Sequence, residues 1–137
     1  MKLMPRILVI EDEADVRHGL VRVLANAGYQ VAETASGGDG LRLYREQGAD
    51  LVLTDILMPD TNGIEVIRGL QTLAPALPVI AMSAGERSRD FELLANAKVL
   101  GAVNLLRKPF SKEELLSVVA AALGKGTRGD PERPVPA

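Results

Sequence analysis

Leu51-Val52-Leu53, followed by Thr54 and Asp55, decides the fold: it is an apolar run closed by a carboxylate. A run with no alternation of apolar and polar residues reads as a β-strand covered on both faces. Working outward, similar runs stand at Ile7-Leu8-Val9-Ile10, at Pro78-Val79-Ile80-Ala81-Met82 and at Ala102-Val103-Asn104-Leu105-Leu106. A weaker, more polar run around Val31-Ala32-Glu33 suits an edge strand. Between the runs the spacing turns helical. Val16, Leu20, Val23, Leu24 and Ala27 form one apolar stripe, with Gly28 as its stop. Leu41 with Tyr44, then Ile64, Ile67 and Leu70, then Phe91, Leu94 and Ala95 mark three shorter ones. Leu115, Val118, Val119, Ala122 and Leu123 form the last, and Ser111 with Glu114 reads as its capping box. Strands alternating with helices predict βαβ units with right-handed crossovers, hence a three-layer (βα)5 α/β domain.

The chain has 137 residues and a formal net charge of −2, from 16 Lys+Arg against 18 Asp+Glu. This length can bury a sizeable core within one domain. A composition of 47% hydrophobic and 25% charged residues argues against a disordered chain. Near-balanced charge disfavours nucleic-acid binding through a broad basic field. The absence of cysteine excludes disulfides, thiolate metal sites and cysteine nucleophiles together. Met1 to Arg6 lacks the apolar run of a secretory signal, and no stretch approaches the ~18 apolar residues of a membrane span. The expectation is a cytoplasmic protein with no membrane or nucleic-acid partner. Gly124 to Ala137 holds three glycines and three prolines, which predicts a flexible tail behind a domain at 1–123. Gly124-Lys125-Gly126-Thr127 is superficially like a phosphate-binding loop, but it lacks the earlier glycine and follows a helix rather than a strand.

In an open parallel sheet, ligands bind beyond the C-terminal ends of the strands, where strand order reverses. The first predicted strand ends at Glu11-Asp12, the third at Asp55 and the fourth at Ser83, and the fifth runs into Lys108-Pro109. Three carboxylates, a hydroxyl and an ammonium are therefore expected on one edge. Crowded carboxylates raise one another's pKa unless a cation sits among them. An all-oxygen donor set selects a hard ion, so Mg²⁺ (or Mn²⁺) is the expected cofactor.

The pair Glu11-Asp12, the stretch Asp55-Ile56-Leu57-Met58-Pro59 with Gly63, then Ser83-Ala84 and Lys108-Pro109-Phe110 resemble the receiver domain of two-component response regulators. The resemblance runs from about Arg6 to Leu123. It implies a flavodoxin-like fold with a parallel sheet of order 2-1-3-4-5. It also implies that Asp55 is the phosphoacceptor, taking a phosphoryl group from a histidine kinase or a histidine phosphotransfer protein. Asp12, Asp55 and the backbone carbonyl of Leu57 would be direct metal ligands, with Glu11 acting through water. Lys108 would pair with a phosphoryl oxygen, and the hydroxyl of Ser83 and the N–H of Ala84 would hold others. A cis peptide before Pro109 would aim Lys108 inward, and Gly63 would permit a tight turn into the third helix. A carboxylate is a weak nucleophile, so positioning and charge neutralisation carry the reaction. The implied activity is signalling, with no turnover beyond the protein's own phosphorylation and dephosphorylation.

Ser83 and Lys108 would be drawn toward the added charge, with output through the fourth helix, fifth strand and fifth helix. That face would meet a downstream protein target, or pair two copies in a homodimer. One position departs from the family pattern: three residues before Lys108, where many receivers carry Tyr or Phe, stands Leu105, which has no ring to swing. Ser83 and Leu105 are thus the expected switch positions. A second departure is the stretch from Ser83 to Gly101, a little longer than usual; its polar run Gly85 to Asp90 reads as a solvated loop, with an alternative switch through its arginines as the competing reading.

Blander readings compete. Asp55 alone suits a helix N-cap or a loop, and His18 reads as a solvated side chain on the polar face of the first helix. A pseudo-receiver that binds partners without phosphorylation is opposed by the intact Glu11-Asp12, Asp55 and Lys108. A haloacid-dehalogenase-type phosphohydrolase would need a second Asp where Leu57 stands, and a DNA-binding regulator would need an output domain after Leu123.

Overall fold

Strands whose side chains are apolar on both sides can exist only as the middle layer of a sandwich, and the computed structural model has that form. It describes residues 4–56, 63–83 and 104–127. The strands are β1 (Arg6–Ile10), β2 (Gln30–Thr34), β3 (Leu51–Asp55), β4 (Val79–Ser83) and β5 (Asn104–Arg107). The described helices are α1 (Ala14–Asn26), α2 (Gly37–Gln47), α3 (Gly63–Leu73) and the C-terminal helix α4 (Lys112–Thr127). All strand pairings are parallel and the order is β2-β1-β3-β4-β5, as the family resemblance implies. Leu57, Ala84, the polar run 85–90, the helix expected around Phe91, Leu94 and Ala95, and the chain beyond 127 lie outside the described residues.

Side chains of a strand alternate between faces, so each strand feeds two cores. Ile7, Val9, Leu51, Leu53, Ile80, Met82 and Leu106 meet Leu20 and Leu24 of α1 and Leu115, Val119 and Ala122 of α4. Leu8, Ile10, Val52, Val79 and Ala81 meet Ile64, Val66, Ile67 and Leu70 of α3, with Leu41 and Tyr44 of α2 against them. Every residue of β3 and β4 is buried, whereas β2 exposes Gln30 and Glu33, as an edge strand should.

The helix ends follow local chemistry. At the end of α1, the N–H of Gly28 bonds to the carbonyl of Ala25 and that of Tyr29 to Leu24, with Gly28 at φ 103°. This pair of hydrogen bonds closes the helix on a left-handed residue, which glycine adopts without a Cβ clash. At the start of α4, the Ser111 N–H donates to Glu114 Oε1 at 2.8 Å and the Glu114 N–H to Ser111 Oγ at 3.0 Å, the reciprocal capping box read from the sequence. The helix itself runs one turn past Leu123, where the sequence reading began the tail. Once nucleated, a helix adds one backbone bond per residue and does not need an apolar face to continue.

Candidate functional site

Sheet register builds the site. Ile10 lies opposite both Thr34 and Thr54, Asp55 opposite Met82, and Ser83 opposite Arg107. Glu11-Asp12, Asp55, Ser83 and Lys108 therefore leave the sheet at one level, beside the reversal of strand order between β1 and β3. The loop after β5 is tied back by the Lys108 N–H, which donates to the Ser83 carbonyl at 2.7 Å. The Lys108–Pro109 peptide is cis.

Three acids gather there. Glu11, Asp12 and Asp55 each place a carboxylate oxygen within 4.8 Å of the others. Glu11 is wholly buried, Asp55 is 7% exposed and Ser83 is 2% exposed. Lys108 Nζ stands 3.0 Å from Glu11 Oε1 and 3.4 Å from Asp55 Oδ2. Burial raises the Asp55 carboxyl most, Lys108 pulls it down and the charges on Glu11 and Asp12 raise it, which together bring it up to about 6. Lys108 is itself held above its ordinary value: burial works against its charge, but Asp55 and the hydrogen bond and charge of Glu11 outweigh that. One ammonium thus leaves the acidic cluster incompletely neutralised. A dense set of hard oxygen donors with negative charge to spare fits Mg²⁺ or Mn²⁺, and Glu11, Asp12 and Asp55 are the side chains that could hold it.

Gly63 has a reason the sequence did not show. It is not among the glycines with positive φ, which among the described residues are Gly28 and Gly48. A Cβ built at Gly63 would stand 2.5 Å from both Cα and O of Ile56 and 2.6 Å from O of Asp55. Its N–H donates to the Ile56 carbonyl at 2.8 Å. The start of α3 therefore rests directly on the backbone that carries Asp55, and only the absence of a side chain lets it approach so closely.

Sequence reasoning also passed over Arg17. Its Nη1 donates to the Glu11 backbone carbonyl at 2.9 Å and its Nε to Glu33 Oε1 at 3.0 Å. The helical pattern places Arg17 on α1 but says nothing of its partners. Glu11 is further pinned by its own N–H to the Thr34 carbonyl and by the Glu13 N–H to Oε2. Leu105 lies on β5, 36% exposed, and His18 is exposed on α1. Leu57 and Ala84, expected to supply a carbonyl and an N–H, lie outside the described residues.

The sequence pattern described as the response regulator receiver domain matches residues 7–120. The transcriptional regulatory protein AfsQ1 of Streptomyces coelicolor is 36% identical over 125 residues, which are 91% of this chain and 54% of that protein. Protein PilH of Pseudomonas aeruginosa is 36% identical over 122 residues, covering 88% of this chain and 98% of PilH. The chain thus spans about half the length of AfsQ1 and nearly all of PilH. The crystal structure of a CheY-like receiver domain protein from Methanospirillum hungatei superposes with a TM-score of 0.86 at 25% identity, over 92% of this chain and 98% of its own. With the sheet order, the acidic edge and these likenesses in agreement, the chain belongs to the receiver domain family of two-component response regulators.

Proposed function

We propose that this chain accepts a phosphoryl group on Asp55 from a histidine kinase or a histidine phosphotransfer protein, and signals through the contacts that the modified form makes. The observation that carries the reading is the convergence of Asp55 with Glu11, Asp12 and Lys108 on the switch-point edge of the sheet. The family is a signalling module that binds Mg²⁺ at acidic residues, and the cluster here has the donor set for it. When bound, the divalent ion supplies charge neutralisation for the anionic donor and acceptor.

The remaining work falls to the chain's own residues. An oxygen of Asp55 attacks phosphorus in line, the bond from phosphorus to the donor's histidine nitrogen breaks, and that nitrogen leaves as neutral imidazole once protonated. Lys108, now bonded to Glu11 and Asp55, turns its ammonium to a phosphoryl oxygen, and Ser83 donates its hydroxyl to another. Each charge-assisted bond contributes about 1.5–3 kcal/mol. Several together reach the ~5.5 kcal/mol needed to invert a 1:99 population. The proposed output passes through β5, where Leu105 is exposed, to a protein target in the cytoplasm, with self-pairing through the same face as one form of it.

Intact mass after incubation with Mg²⁺ and acetyl phosphate tests this directly. The expected result is a gain of one phosphoryl group in the parent protein, absent from Asp55→Ala and after chelation. Failure to gain mass from acetyl phosphate and from purified histidine kinases alike overturns the reading in favour of an unphosphorylated binding module.

A further inference from the structure

The backbone of Glu11, at the acidic edge of the sheet, is held by an arginine that does not belong to the cluster. Arg17 lies in the first turns of α1, and its side chain is only 15% exposed. From there its guanidinium reaches back to the Glu11 carbonyl and sideways to Glu33 on the edge strand. The carbonyl of Glu11 is half of the peptide that joins Glu11 to Asp12. It lies one residue past the end of β1, in a wholly buried residue, so it needs a donor. A bond to that oxygen sets the plane of the peptide, and the plane sets the direction in which the Asp12 side chain leaves the backbone. A guanidinium near a cation site would by itself repel a divalent ion. Glu33, on the far side of the fork, offsets that charge.

We propose that Arg17 is a positioning residue for the divalent-cation site. It orients the Glu11–Asp12 peptide so that Asp12 faces Asp55, and its own charge is balanced by Glu33. The inference rests on the reading of Glu11, Asp12 and Asp55 as the cation site, and its test separates the two.

Mn²⁺ binding to the full chain, followed by electron paramagnetic resonance, is the primary measurement, with Asp12→Asn as the reference for a lost ligand. Arg17→Met keeps the apolar stem and removes both donors; it is expected to weaken Mn²⁺ binding roughly tenfold, as loss of a group that orients a ligand does. Arg17→Lys, with the charge but not the fork, falls between. The Mg²⁺ concentration for half-maximal phosphorylation by acetyl phosphate rises by the same factor, while the rate at saturating Mg²⁺ is unchanged. A merely structural arginine would lower the thermal midpoint of the metal-free protein and leave the cation affinity where it was. Should Arg17→Met fail to fold, Arg17→Lys and the exposed-site variant Glu33→Gln decide; the latter is expected to weaken Mn²⁺ about two- to threefold at low salt, fading as salt rises. Unchanged Mn²⁺ affinity in the folded Arg17 variants, with Asp12→Asn impaired, overturns the positioning role and leaves the cation site standing. A parent protein that binds no Mn²⁺ overturns both.

Discussion

Two ion pairs in this molecule have similar geometry and opposite importance. On the open flank of α2, Arg42 Nη2 meets Asp39 Oδ1 at 2.7 Å, with both side chains more than half exposed. At the C-terminal edge of the sheet, Lys108 Nζ meets Glu11 Oε1 at 3.0 Å, with the Glu11 side chain wholly buried. The shorter contact is the weaker one. Water solvates Arg42 and Asp39 nearly as well apart as together, so their pairing adds little. Glu11 has lost its water, and without Lys108 its charge has nowhere to go. Distance records that two charges meet; burial decides what the meeting is worth. The proposed site for a cation and a phosphoryl group sits where charges are expensive, which is how small ligands could shift it.

The sharpest way to break this comparison is to remove the cation from each pair. Lys108→Met is expected to destabilise the metal-free protein by ~3–5 kcal/mol at neutral pH, read by urea unfolding. The loss should shrink as the pH falls and the abandoned carboxyls protonate, and Mg²⁺ should recover part of it. Arg42→Met should leave the urea midpoint where it is. Equal shifts in the two variants would undo the argument.

A second contrast uses glycine on the same two regions. Gly63→Ala forces a Cβ into the backbone of Ile56 and Asp55, and should cost about 1–3 kcal/mol and slow phosphorylation. Gly38 on α2 has nothing within 4 Å of a built Cβ, so Gly38→Ala should be neutral or slightly stabilising in the same unfolding assay.

The smallest expected effect is that of pH. The folded carboxyl of Asp55 titrates near 6 rather than at its ordinary 3.8, chiefly because it is buried, so the folded state holds this proton more tightly than the unfolded one. Stability from this group is therefore fully present below 3.8 and is lost as pH rises through about 6 in metal-free solution. Asp55→Asn should flatten that window in thermal or urea unfolding. In the parent protein Mn²⁺ should bind more tightly across the same rise, because the ion displaces the proton.

Much of this was legible in the chain itself, and the legible parts share a character. The strand at Leu51–Asp55, the stripe ending at Gly28 and the capping box of Ser111 and Glu114 depend on neighbours a few residues apart, so their geometry is written in spacing. The landmarks Asp12, Asp55, Ser83 and Lys108 could be assigned to one edge because parallel strands bring their C-terminal ends together. What spacing did not reveal was the partner each landmark takes. Lys108 bonds more closely to Glu11 than to Asp55, and Gly63 is needed for the backbone beneath it rather than for a positive φ. Arg17 looked like any polar residue on a helix.

Sequence alone therefore determined the alternation of strands and helices, the stop at Gly28, the cap at Ser111 and the identity of the acids, because periodicity and capping act over one or two turns of chain. Tertiary structure alone decided that Lys108 would neutralise a glutamate 97 residues away, that Asp55 would hold its proton to about 6, and that Arg17 would grip the peptide before Asp12. The reason is physical: charge interaction and desolvation depend on separation and water access in space, and neither is set until the chain has folded.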